Sequence, residues 1–229
     1  MNTIFRARAA NPFVIYAVLG ALALGVLPAS AKSLSPDSAT QRRGAMADAP
    51  ADRTTTAPVR VSMAPLREFL VRANRLKEQG KIDLSARREI TIEGDRADDG
   101  TLNNPVITGP SASNASFKKL AQDFIASLNE SHALKMLEEA GRVRMTFTLD
   151  GERFTARSES DMPSAARAED KARGYRTLIN FARLYKRGSD EAMVLNSTKV
   201  SSSGKQLVLN LDMTREAIGN ILQKQITPN

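Results

Sequence analysis

Three stretches of this sequence alternate apolar and polar residues, reverse at a glycine-containing turn, and then alternate again. The turn glycines are Gly100, Gly151 and Gly204. Alternation with a period of two places apolar side chains on one face of a strand, and Asp-Gly or Ser-Gly turns favour a tight reversal of the chain. The pattern therefore predicts three β-hairpins, whose strands cover 88–97 and 101–108, 142–149 and 152–160, and 192–200 and 207–213.

Each hairpin is followed by a segment in which apolar residues recur every three or four positions, as they do on one face of a helix. A similar segment precedes the first hairpin, between Pro65 and Gly80. The predicted helices cover 65–79, 117–137 with a break at 129–131, 163–187, and the residues that follow the potential cap Thr214. The longest of them is expected to bury one apolar stripe: Ala168, Ala172, Tyr175, Leu178, Ile179, Ala182 and Tyr185.

Hairpins joined by helices indicate an α+β fold. We expect an N-terminal helix followed by three strand-turn-strand-helix units, with an antiparallel sheet covered by helices on one face. The domain predicted in this way covers residues 64–229.

The first 31 residues have the composition of a secretory signal. Arg6 and Arg8 precede an uncharged apolar run from Phe13 to Leu27, and small residues follow at 28–31. This order is typical of a cleavable signal peptide. The run also approaches the length that spans a bilayer, so an uncleaved membrane anchor is the alternative. We expect a periplasmic or secreted protein, or a periplasmic domain that is anchored to the inner membrane.

Residues 32–63 are rich in Ala, Ser, Thr and Pro, with few large apolar side chains. Such a composition buries too little apolar surface to offset the entropy lost on ordering, so we predict a disordered linker.

Charge and cysteine content narrow the classes of partner and site. Removal of residues 1–31 takes away Arg6 and Arg8 and lowers the formal net charge from +8 to +6. This moderate excess is compatible with anionic envelope partners, while export makes nucleic acid a poor candidate. The chain has no cysteine, which excludes disulfides, thiolate nucleophiles and cysteine-ligated zinc.

The run from Glu89 to Leu128 resembles the opening of the C-terminal domain of TonB-type energy transducers. In that family a strand leads into an Asp-x-x-Gly turn, a second strand ends in small residues, and a helix with regularly spaced Leu and Ala follows. Here 98–102 corresponds to the turn, Val106-Ile107 to the second strand and Leu120-Ala121 to the helix. The resemblance implies a periplasmic interaction domain and assigns no functional residue.

No catalytic, cofactor-binding or metal-binding residue is predicted. His132 is the only histidine, and we interpret it as a surface or capping residue. No serine has the Gly-x-Ser-x-Gly setting of a nucleophile elbow, and no phosphate loop is present. The acidic turn does not have the spacing of an EF-hand, and Asp and Asn are ordinary turn residues; its residues are Asp95, Asp98, Asp99 and Asn103.

The long helix carries the most specific candidate for a binding surface. At 100° per residue, four arginines fall within one sector beside the apolar stripe; they are Arg173, Arg176, Arg183 and Arg187. They form either a docking stripe or an ordinary solvated face. The function we expect is a non-catalytic envelope module that binds a protein partner. The sequence leaves two alternatives open: binding of anionic lipid or wall polymer through the basic helix, and a carboxylate-based periplasmic enzyme.

Overall fold

The computed structural model describes residues 60–186 and 189–226, so the predicted signal segment and most of the predicted linker lie outside the described residues. The described chain contains helices α1 (Ala64–Glu78), α2 (Ala115–Ser131), α3 (Ala165–Tyr185), α4 (Asp190–Ser197) and α5 (Arg215–Ile226), and a 3-10 turn at Ala133–Met136. Its strands are β1 (Arg88–Arg96), β2 (Leu102–Thr108), β3 (Arg142–Leu149), β4 (Arg153–Asp161), β5 (Thr198–Ser203) and β6 (Gln206–Thr214).

The six strands form one sheet in the order β2-β1-β3-β4-β6-β5. All neighbouring strands are antiparallel. The three predicted hairpins are present as β1–β2, β3–β4 and β5–β6, and the pairs β1–β3 and β4–β6 join them into a continuous sheet. The expected α+β arrangement is therefore confirmed.

All of the helices pack on one face of this sheet. Ile92, Met145 and Leu209 lie on that face and are almost completely buried with residues of α1, α2 and α3. A second cluster joins α4 and α5 to β4 and β6, through Ala156, Val194, Leu211, Met213, Ile218 and Ile221. Because strand residues alternate between faces, the opposite face carries charged side chains such as Arg144 and Glu93, which form an ion pair of 2.8 Å.

Part of the third predicted hairpin is a helix. The prediction of an extended strand over 192–200 is wrong for 192–197, which belong to α4, and β5 begins at Thr198. The Ser189 side chain accepts a hydrogen bond from the backbone N–H of Ala192, and Asp190 and Glu191 lie in the first turn. A capped N-terminus with acidic residues favours a helix, and this local effect outweighs the extended pattern.

The ends of two other segments also differ from the prediction. The helix break expected at 129–131 lies at His132, where the backbone φ is +51°, and α2 continues through Ser131. Val61 and Met63, which the sequence assigned to the linker, pack against the core. The backbone N–H of Ser62 donates to the carbonyl of Ser131 at 3.0 Å. The packed chain therefore begins before residue 64.

Candidate docking surface on helix α3

Helix α3 lies over β5 and β6, at one edge of the sheet. Its N-terminus is capped by the Ser164 side chain, which accepts from the backbone N–H of Arg167 at 3.2 Å. On the side of α3 that faces the sheet, the side chains of Ala168, Ala172 and Ile179 are buried. The small side chains bring the helix close to the sheet, so the orientation of α3 about its own axis is determined by this packing.

Four large apolar side chains of α3 are exposed on the opposite side. Their exposed fractions are 41% for Leu178, 57% for Phe181, 57% for Leu184 and 86% for Tyr185. We call these four residues the α3 apolar face. Leu178, Phe181 and Tyr185 have spacings of three and four residues, which place them along one line of the helix. Isolated exposed apolar residues are common, whereas a group on one helix is typical of an interaction surface.

Two of these residues belong to the stripe that the sequence predicts to be buried. Leu178 and Tyr185 were expected in the core, and the structure shows both of them exposed. Phe181 and Leu184 were not selected at all. The sequence does contain a sign that some of these residues are exposed. The apolar residues of 175–185 extend around more of the helix circumference than one packing contact can cover.

The structure separates the three described members of the predicted arginine stripe. The guanidinium of Arg183 turns inward and donates to the carbonyl of Leu195 at 2.7 Å and to that of Thr198 at 3.2 Å. Arg176 forms an ion pair of 2.7 Å with Glu169, and Arg173 is exposed on the helix surface. Arg187 lies outside the described residues. Arg173 and Arg176 are thus the described members on the outer surface, and Arg183 stabilises the fold.

The Glu169 carboxylate has hydrogen-bond partners on β5 and on its own helix. Its carboxylate accepts a hydrogen bond from the Ser202 hydroxyl of β5 and one from Arg176. These two hydrogen bonds, together with the charges of Arg176 and Arg173, lower the pKa of Glu169 below its usual value. The residues from 171 to 187 that follow it include six basic and no acidic side chains. Several of these basic side chains have acidic partners: Lys171 lies 3.7 Å from both Glu138 and Glu139, and Lys186 lies 3.9 Å from Glu191.

The polar residues around the first hairpin turn have structural partners. The Asp99 carboxylate accepts from the backbone N–H of Thr101 at 3.0 Å and from its hydroxyl at 2.7 Å, and these hydrogen bonds lower its pKa. A ring nitrogen of His132 lies 3.0 Å from the carbonyl oxygen of Asp99. Asp98 forms an ion pair of 3.6 Å with Arg96. The carboxylate of Asp95 accepts from the side chain of Asn104, while Asn103 lies on β2.

Among residues 60–186 and 189–226, no group of three or more His, Asp or Glu side chains is placed to hold a metal ion. No helix in the same part of the chain has both the length and the apolar character required to cross a bilayer. Comparisons with protein-family models, curated proteins and solved structures found no match for this chain.

Proposed function

We propose that this protein is a non-catalytic interaction module of the bacterial cell envelope, and that the outer surface of α3 is its docking site. The α3 apolar face is the observation that carries this proposal. A helix that buries its inner side completely has no need of a second apolar side for folding, since Ala168 and Ala172 are already at 0% exposure. Burial of an exposed aromatic ring is favourable in free energy, and on this side of α3 only a binding partner can bury the rings.

The sequence features support the same function. The signal-like segment predicts export, and the resemblance to the C-terminal domain of TonB-type transducers implies a periplasmic interaction domain. The partner expected from the sequence is an envelope protein, with anionic lipid or wall polymer as the alternative. Either kind of partner can contact exposed apolar side chains, and α3 offers four of them.

The proposal can be tested by the retention of the full chain on envelope fractions of the host that exports it. The double variant Phe181→Ser/Tyr185→Ser removes the two exposed rings. Burial of each ring contributes about 1.5–3 kcal/mol, and 1.4 kcal/mol corresponds to a factor of ten in binding. We therefore expect retention to fall at least about tenfold, while circular dichroism and thermal unfolding stay close to those of the parent protein.

The double variant Val106→Ser/Met193→Ser is the matched control. Both residues are exposed, at 53% and 46%, and neither belongs to α3. This control removes apolar surface elsewhere and should keep the parental retention. Equal retention of the two double variants would rule out α3 as the docking site.

A further inference from the structure

We propose that a second copy of this chain covers the α3 apolar face, with the two α3 helices packed antiparallel about a two-fold axis. The axis would pass between Leu178 and Phe181. This inference rests on the proposed function and names the protein partner of the same site.

Four positions of α3 have the spacing of a seam between two helices. Gly174, Leu178, Phe181 and Tyr185 follow one another at intervals of four, three and four residues, and all four are exposed. This alternation keeps the positions on one narrow line, along which a second helix can pack. We call these four residues the α3 seam. Leu184, the remaining member of the α3 apolar face, lies beside it.

Gly174 has no role that the folding of a single chain explains. Its φ lies outside the left-handed region, and nothing lies within 4 Å of an added Cβ. A glycine inside a helix is destabilising relative to alanine. Its missing side chain leaves room for a group that approaches α3 from outside. The seam thus has a glycine at one end and its most exposed ring, that of Tyr185, at the other.

An antiparallel pair of α3 helices matches this seam to itself. When Leu178 lies opposite Phe181 of the second copy, Gly174 lies opposite Tyr185 of the second copy, because both pairs are centred on the same point of the helix. A two-fold symmetric contact requires such a self-complementary patch. The Tyr185 ring of each copy would then pack against the glycine of the other, and the leucine and phenylalanine would form the centre of the contact.

The charges of α3 are compatible with this pairing. From 174 to 185, only Arg176 and Arg183 are charged. At 100° per residue, both lie roughly opposite the seam on the helix circumference. Arg183 donates to carbonyls of α4 and β5, and Arg176 is paired with Glu169. Two copies can therefore meet along the seam without placing like charges against each other, which would disfavour association.

The test uses cysteines, which the chain otherwise lacks. In the full chain, Gly174→Cys/Tyr185→Cys places two thiols that would face each other across the proposed axis. Within one helix these positions are separated by about 16 Å, so a bismaleimide with a reach of about 8–10 Å joins them only between two helices packed side by side. We expect a covalent dimer of this variant on denaturing electrophoresis.

The single variants Gly174→Cys and Tyr185→Cys are the matched controls. Each thiol would lie about 16 Å along the helix axis from its counterpart in the second copy, so neither variant should cross-link efficiently. All three variants share the N-terminal segment, and association through that segment would cross-link them to a similar extent.

A further substitution in the double variant tests the apolar contact itself. Adding Phe181→Asp should reduce the yield of dimer at least about tenfold, since burial of one aromatic side chain corresponds to at least a factor of ten in binding. Adding Val106→Asp, at an exposed position on β2, should leave the yield unchanged.

Three outcomes would overturn the inference: no cross-linked dimer of the double variant, equal cross-linking of the double and single variants, or a yield that Phe181→Asp leaves unchanged. If cross-linking fails while envelope retention still depends on Phe181 and Tyr185, the partner is a different envelope component and the proposed function stands. If both experiments fail, the proposed function fails with the inference.

Discussion

Tyr175 links helix α3 to the segment that follows α2 through a buried phenol. Its hydroxyl donates to the carbonyl of Met136 at 2.7 Å. Burial, and to a smaller extent the negative charge of Glu138, raise the pKa of Tyr175 from 10.0 to about 12, with Arg96 opposing the change. The folded protein therefore holds this proton more tightly than the unfolded chain does.

This raised pKa predicts a specific loss of stability at alkaline pH. Because the folded pKa exceeds the unfolded value of 10.0, the contribution is complete below pH 10 and is lost as the pH rises to about 12. A pKa difference of this size corresponds to roughly 3 kcal/mol. Urea unfolding at several pH values should show the parent protein losing this much more stability than Tyr175→Phe. Parallel curves for the two proteins would contradict the prediction.

Gly100 occupies a turn position that excludes a side chain. Its φ is +86°, and an added Cβ would lie 2.4 Å from the backbone nitrogen of Lys135 and 2.5 Å from the carbonyl oxygen of His132. Both atoms belong to the backbone after α2, which cannot move aside as a flexible side chain would. The first hairpin turn is therefore fitted closely against the 3-10 segment.

We expect Gly100→Ala to lower the free energy of unfolding by at least about 2 kcal/mol, because backbone strain and overpacking act together. Gly151, in the second hairpin turn, is the control, since nothing lies within 4 Å of an added Cβ and its φ lies outside the left-handed region. Gly151→Ala should change stability by less than about 1 kcal/mol. Similar values from chemical denaturation of the two variants would show that the close approach at Gly100 is unimportant.

At the scale of secondary-structure elements, α4 depends on its neighbours. A helix of eight residues is too short to be stable alone. Its N-terminus is capped by Ser189, and near its C-terminal end the carbonyls of Leu195 and Thr198 accept from the Arg183 guanidinium. Val194 and Leu195 are buried against the sheet. The last carbonyls of a helix have no N–H partner within the helix, and here the Arg183 side chain of α3 supplies the missing donor.

Replacement of Arg183 should therefore affect folding and leave docking intact. We expect Arg183→Ala to reduce stability by about 1–2 kcal/mol, because carbonyls of α4 and β5 lose a charged donor. Arg176→Ala removes an exposed ion pair on the same helix and should change stability by less than about 1 kcal/mol. Thermal and urea unfolding of the two variants provide the comparison, and equal stability would place Arg183 among ordinary surface residues.

At the scale of the whole molecule, the sheet connects two apolar clusters. Leu207 and Leu209 of β6 belong to the larger cluster, and Leu211 and Met213 of the same strand belong to the smaller one. Phe147 packs against both. Because the clusters share strands, loss of one should disrupt the register on which the other depends.

This arrangement predicts that the domain unfolds in a single cooperative step. Ile221→Ala, in the smaller cluster, should lower stability by about 2–5 kcal/mol, as expected for a buried isoleucine at 2% exposure. In Phe181→Trp/Ile221→Ala, indole fluorescence on α3 and far-UV circular dichroism should give the same denaturant midpoint. Two separated transitions would show that the smaller cluster folds independently of the larger one.

The order of elements follows from the sequence, because its signals are local. Alternation with a period of two, glycine turns and helix-period stripes are properties of a few consecutive residues, and they predicted all three hairpin turns and the helix after each hairpin. The long helix, predicted over 163–187, is observed over Ala165–Tyr185. The missed helix at 190–197 is short, and its cap at Ser189 acts against an extended pattern.

The tertiary structure decided the strand order and the character of the candidate site. Pairing of β1 with β3 and of β4 with β6 joins strands that are distant in sequence, and no local pattern specifies it. Arg183 was predicted on the docking stripe, yet it faces the carbonyls of α4, and Tyr185 was predicted in the core, yet it is exposed. Sequence determines which residues share a side of a helix, because the helical period is fixed. Only packing against the sheet determines which side is buried, since that depends on the shapes of surfaces that meet after folding.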